Sequence, residues 1–136
     1  IVRKIEGESI DPLYTTRRYT KVEKQYYEVV AEGMRQAVLG GTCRGANLPG
    51  IEVCGKTGTA QNRGKDHSAF MGFAPMNDPQ IAVAVYVENG GFGAQYGVPI
   101  GALIMEQYLN GKLSLASEEM ADEFQHKRID YGIHER

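Results

Sequence analysis

At 136 residues the chain has the size of one domain and enough length to bury a core. Its 15 basic and 17 acidic side chains leave a formal charge of −2, which removes the electrostatic case for nucleic acid, since that calls for a strongly basic face. No apolar run among these residues is long enough to cross a bilayer or reads as a signal peptide; Ile1 already stands in a strand-like run, so the chain is expected to be an excerpt from a longer protein, whose targeting these residues do not report.

Ile1 to Ile5 alternates apolar and charged residues, as a half-buried strand does. Gly7 to Arg18 is polar and irregular, with Asp11-Pro12 as a turn signal. Arg17, Arg18, Lys21 and Lys24 cluster, but Glu23, Glu28 and Glu32 follow closely, the pattern of a solvated helix start. Thr20-Lys21-Val22-Glu23 reads as a capping box opening a helix over 21–39. Tyr26, Val30, Met34, Ala37 and Val38 recur at helical spacing, and Gly40-Gly41 stop the helix.

A glycine-rich loop from Gly40 to Gly50 leads into a strand over 51–59, followed by a polar loop over 61–66. Strands over 68–74 and 81–87 are joined by the short, turn-rich Pro75–Pro79, which favours an antiparallel hairpin. The run IAVAVYV is apolar at every position, so that strand is expected inside the sheet with layers on both sides. The loop NGGFGAQYG then opens a helix over 98–110, with Pro99 in its first turn and Gly111 at its end. Gly91, Gly93 and Gly97 miss the dinucleotide spacing and lie in no βαβ unit. The fold class is therefore α+β: an antiparallel sheet flanked by helices over residues 1–113, incomplete as a domain. Residues 114–136 form a charged tail with a short helix after Ser117 and no core-forming pattern.

Cys43 and Cys54 have neither C-x-x-C spacing nor paired histidines nearby, so a zinc site is not indicated. A disulfide in an oxidising compartment remains open, with two ordinary thiols favoured.

The informative stretch is PGIEVCGKTGTAQN, Pro49 to Asn62. It fits the phosphate loop G-x-x-x-x-G-K-[ST] at Gly50, Gly55, Lys56 and Thr57. That mechanism needs a buried strand before the first glycine and a helix starting at the Lys-Thr pair. Here loop residues precede Gly50, Ile51 to Cys54 alternates like a strand, and Gly58, Asn62 and Gly64 disfavour a helix. Nucleotide binding is thus the weaker reading.

The same residues contain Lys56-Thr57-Gly58-Thr59, the K-T-G element of penicillin-reactive serine enzymes. On an exposed strand this text suits a peptide ending in a carboxylate, which adds to the strand edge through main-chain hydrogen bonds. Lys56 supplies positive charge beside a nucleophile. The Thr57 and Thr59 hydroxyls can bind the carboxylate, Gly58 permits close approach, and the Thr59 amide suits an oxyanion hole.

Around it stand VAEGMRQAV, the loop GGT, His67-Ser68-Ala69-Phe70-Met71-Gly72-Phe73-Ala74-Pro75, and NDPQIAVAVYVENGG. From Ile1 to Leu113 the chain resembles the C-terminal part of class B penicillin-binding protein transpeptidases, of the cell-elongation penicillin-binding protein 2 type. Ala69 departs from the tryptophan of many relatives, and Cys43 and Cys54 from smaller residues; both look like packing variation. The resemblance implies a β-lactamase/transpeptidase-like fold and a parent enzyme that is a serine D,D-transpeptidase of peptidoglycan. It implies catalytic Lys56 and Thr59, and substrate binding by Thr57, Gly58, Thr59 and Gln61, with Asn62 beside Gln61 on the acceptor side. His67 is expected to be structural, and His126 and His134 solvent-facing.

No metal or organic cofactor is implied. The implied partners are the D-Ala-D-Ala stem peptide, β-lactams and a lipid II polymerase of the elongation machinery. The implied location is the periplasm, under an inner-membrane anchor N-terminal to this segment. The family also needs S-x-x-K and S-x-N. Ser9, Ser68, Ser114 and Ser117 provide neither, so the nucleophile is expected upstream and the excerpt inactive. A β-lactam sensor or a serine β-lactamase on the same fold is the alternative.

Overall fold

The computed structural model describes Gly7 and residues 9–129; the strand expected over Ile1 to Ile5 and the tail residue His134 lie outside the described residues. Asp11 caps a one-turn helix, α1 (Pro12–Thr15), its carboxylate accepting the Leu13 amide at 2.8 Å. α2 (Lys24–Leu39) begins three residues later than the capping-box reading placed it. The Thr20 hydroxyl instead accepts the Val22 amide two residues on, a local turn that competes with the cap. Cys43 to Ala46 then tightens into a single 3-10 turn, with residues Arg44–Ala46 helical.

Three strands follow, β1 (Cys54–Ala60), β2 (His67–Ala74) and β3 (Ile81–Val87), in the order β1-β2-β3 with both pairings antiparallel. β1 starts at Cys54 rather than Ile51. The Ile51 and Val53 amides are spent on Leu48 and Ile51 carbonyls, so the lead-in turns instead of pairing. Ile51 and Val53 are buried all the same and anchor it. Among the described residues β3 forms an edge of the sheet rather than the interior position expected of it, with alternate residues Ala82, Ala84 and Tyr86 exposed.

α3 (Gly97–Asn110) lies across the sheet face that carries Phe70, and the core sits between them. Val38 from α2, Cys43 and Ala46 from the following loop, Val53, Phe70, Ala74, and Val98, Ala102 and Met105 from α3 make one cluster. Gly97 and Gly101 allow this approach. A Cβ on Gly101 would stand 2.5 Å from two ring atoms of Phe70, and one on Gly97 3.0 Å from the Ala69 backbone. Gly111, left-handed at φ 72°, ends the helix as expected.

The tail is more ordered than its charge suggests. α4 (Leu115–His126) starts ahead of the expected position after Ser117, and Ser117 is buried against α3. Glu106 of α3, itself buried, accepts the Ser114 amide at 3.1 Å and the Ser117 hydroxyl. Burial raises the Glu106 pKa, but these bonds to Ser117 and Ser114 outweigh it and hold the carboxyl below its ordinary range. The signal missed in the sequence is that polar residues, not apolar ones, make this joint. No helix among the described residues is long and apolar enough to cross a membrane.

Candidate active site

β1 lies at a free edge of the sheet, its second neighbour being absent among the described residues. Its outer backbone groups are therefore open to an added extended peptide. Lys56 and Thr57 sit inside the strand, so no helix starts there and the phosphate-loop geometry does not form.

Strand alternation sends Lys56 and Thr57 to opposite faces. Lys56 shares its face with Met71 and Ala84 in register. Its ammonium is exposed and donates to the Thr57 carbonyl at 2.7 Å. Thr57 and Thr59 share the other face, Thr57 half-buried and Thr59 exposed. Gly58 is half-buried, and a Cβ there would meet Ala69 Cβ at 3.3 Å. Gln61 is exposed just past the strand. Asn62 is not free to face a ligand in the same way. Its Nδ2 donates to Asn89 at 3.3 Å and its Oδ1 accepts the Arg63 amide at 2.8 Å, so it braces the β1–β2 loop.

Four further residues shape the surroundings of the strand. Thr42 reaches back from the loop after α2, and its Oγ1 lies 2.8 Å from Thr57 Oγ1. That loop is rigidly placed: Cys43 and Gly41 amides both donate to the Ala37 carbonyl, and a Cβ on Gly41 would meet the Ala37 backbone at 2.9 Å. Cys43 is fully buried beside Thr57; burial pushes its thiol pKa up, against the pull of Thr42, Thr57 and Lys56. Cys54 is likewise free, buried and pushed up by burial, so both are unreactive thiols rather than a disulfide.

From the far side, Gly93 presses on the K-T-G strand, where a Cβ would fall 2.7 Å from the Gly58 carbonyl and 3.0 Å from Thr57 Cβ. Ser68 pins that glycine loop: buried, it donates to the Phe92 carbonyl at 2.9 Å and accepts the Gly97 amide at 3.0 Å. His67 has a structural part, its Nδ1 accepting the Asn89 amide at 3.0 Å with the ring against Tyr86. His126 is exposed near the end of α4. No group of three or more His, Cys, Asp or Glu able to hold a metal occurs among the described residues.

An antiparallel sheet with K-T-G-T on its free edge and an apolar helix behind it defines the sheet portion of a β-lactamase/transpeptidase-like protein. The family model described as the penicillin-binding protein transpeptidase domain matches residues 1–109, and the chain belongs to that family. It is similar to the peptidoglycan D,D-transpeptidase MrdA of Acinetobacter baumannii, at 39% identity over 88 residues, 51% of this chain and 13% of that protein. It is also similar to the peptidoglycan D,D-transpeptidase PbpA of Mycobacterium tuberculosis, at 32% over 126 residues, 82% of this chain and 25% of that protein. Among solved structures, the ceftriaxone acyl-enzyme complex of M. tuberculosis penicillin-binding protein A superposes with a TM-score of 0.61 at 32% identity. That match covers 69% of this chain and 24% of the other. The chain thus spans about a quarter or less of the relatives it matches.

Proposed function

We propose that these residues are the C-terminal portion of a peptidoglycan D,D-transpeptidase and supply its donor-binding strand. The observation that carries this reading is K-T-G-T on a free sheet edge, with the Thr57 hydroxyl held by Thr42, inside a fold of the penicillin-binding transpeptidase family. A donor stem peptide ending in D-Ala-D-Ala lies along β1, its carboxylate bound by the Thr57 and Thr59 hydroxyls, while Lys56 on the strand's other face supplies positive charge beside the nucleophile. A serine from outside these 136 residues attacks the carbonyl of the penultimate residue. The C–N bond breaks, D-Ala leaves with the proton, and an acyl-serine remains. An amine of a neighbouring strand then attacks that ester and regenerates the serine. β-Lactams enter by the same route, as the acyl-enzyme complex of the mycobacterial relative does.

On this reading the segment works in the periplasm, beside a lipid II polymerase of the elongation machinery, and is inactive without the part that carries the nucleophile. The test is labelling of the longer protein that carries these residues with a fluorescent penicillin. A stable covalent adduct is expected, formed at least about tenfold more slowly after Lys56→Ala or Thr57→Val. No adduct in the longer protein would overturn the proposal. An adduct that hydrolyses within seconds would favour a β-lactamase instead.

A further inference from the structure

α4 is tied down at both ends. At its start, Ser114 and Ser117 bond the buried carboxylate of Glu106. At its end, Phe124 meets Tyr96 edge-on with centroids 5.7 Å apart, and Lys127 Nζ lies 5.4 Å from the Tyr96 ring centre. These contacts bring the residues after α4 to the loops flanking the end of β1. A cleft of about 280 Å³ opens there, lined by Lys65 and Asp66 from the β1–β2 loop, Asn89, Phe92 and Gln95 from the loop before α3, and Arg128. The family match stops at residue 109, so one wall of this cleft comes from residues outside it.

The lining has an excess of positive charge. Neither Lys65 nor Arg128 is in an ion pair among the described residues. Asp66, the acid beside them, already accepts the Asn62 amide at 3.3 Å. The backbone amides of the loop are spent as well: Gly90 on Val87, Gly91 on the Asp66 carbonyl at 2.8 Å, and Phe92 on Gln95 Oε1 at 3.0 Å. The donors left for a ligand are side chains, two of them cationic, beside a Phe92 ring that is 66% exposed. Two cations and an apolar ring suit a carboxylate with a small apolar group next to it, the chemistry of a peptide C-terminus.

We infer that this cleft binds the carboxylate of the acceptor stem peptide, the strand whose amine receives the acyl group; the inference rests on the transpeptidase reading. The donor does not compete for it. The donor carboxylate belongs to Thr57 and Thr59 in the middle of β1, whereas Lys65 and Arg128 lie beyond the strand's last residue, past Gln61. C-terminal residues outside the family domain thereby take part in choosing the acceptor.

The experiment uses the longer protein acylated with unlabelled penicillin, so that the donor side is filled. Binding of a fluorescein-labelled stem peptide with a free C-terminal carboxylate is followed by anisotropy. Lys65→Glu and Arg128→Glu are each expected to weaken binding about tenfold, the loss of one charge-assisted contact, while Arg128→Lys keeps most of it. The peptide methyl ester should bind wild type weakly and ignore Arg128→Glu. Equal binding of acid and ester, or charge reversals that bind as wild type does, would overturn the cleft alone. Acylation is measured first and separately: a protein that penicillin does not acylate refutes the transpeptidase reading, and this inference with it.

Discussion

Thr57 must present a hydroxyl proton to a carboxylate while its side chain is kept from rotating away. Thr42 serves the second need: the two hydroxyls share a hydrogen bond at 2.8 Å in which either oxygen can donate, and when Thr42 is the donor the Thr57 proton is left for the carboxylate. In the longer protein, Thr42→Val should slow acylation by fluorescent penicillin about fivefold to tenfold, the worth of one net hydrogen bond, and Thr42→Ser should restore most of the rate. Equal rates for Thr42→Val and wild type would remove Thr42 from the site. Glu106 makes a different prediction. A carboxyl whose folded pKa lies below its ordinary value of 4.5 stabilises the fold fully above that pH and loses the effect as pH falls through the folded value. Glu106→Gln should therefore cost about 1–3 kcal/mol at pH 7, and its melting temperature should fall less than wild type's between pH 5 and the acid limit of folding. Parallel acid profiles would show that Glu106 is not charged in its joint with α4.

At the scale of elements, α3 and β2 meet through missing side chains as much as through apolar ones. Gly101→Ala places a methyl group 2.5 Å from the ring of Phe70, which is 2% exposed and has no space to retreat, so a loss of about 1–3 kcal/mol is expected in denaturant titration. Gly33→Ala, on α2 with nothing within 4 Å, should instead add about 0.4–1 kcal/mol. If the two substitutions behave alike, the packing of α3 on Phe70 is wrong. The strands and α3 were legible in the sequence because period and turn residues are local signals, and K-T-G could be placed on a strand for the same reason. Other boundaries were not. α2 starts late because Thr20 has a nearer partner in Val22, and β1 starts late because Ile51 and Val53 spend their amides on turns. Thr42 was invisible because its meeting with Thr57 depends on a loop closing over 15 residues. α4 was understated because its anchor is a buried carboxylate with two serines, which hydrophobic patterning does not register.

For the whole molecule, the described residues hold one wall of a site and leave one sheet face bare among themselves. Met71 and Tyr86 are 58% and 59% exposed on the face that Lys56 shares, around an open hollow of about 340 Å³. α2 adds Tyr26, Val29 and Val30 at 58%, 72% and 59% exposure. Apolar surface of this extent calls for cover, and without it copies of the chain should cover one another. None of the three serines in the structured core is poised to attack a bound acyl group: Ser68 has its hydroxyl engaged as donor and acceptor, and Ser114 and Ser117 are bound to each other and to Glu106. Ser9, exposed near the start, precedes neither a lysine at the third position nor an asparagine at the second. The isolated chain should consequently show no covalent band with fluorescent penicillin, and light scattering should report association that mild detergent reverses. A covalent adduct on the isolated chain would place the nucleophile within these residues and require a different reaction centre. A stable monomer without detergent would mean that the bare face needs no partner. The two readouts are independent, since acylation tests where the chemistry resides and scattering tests whether the sheet stands alone.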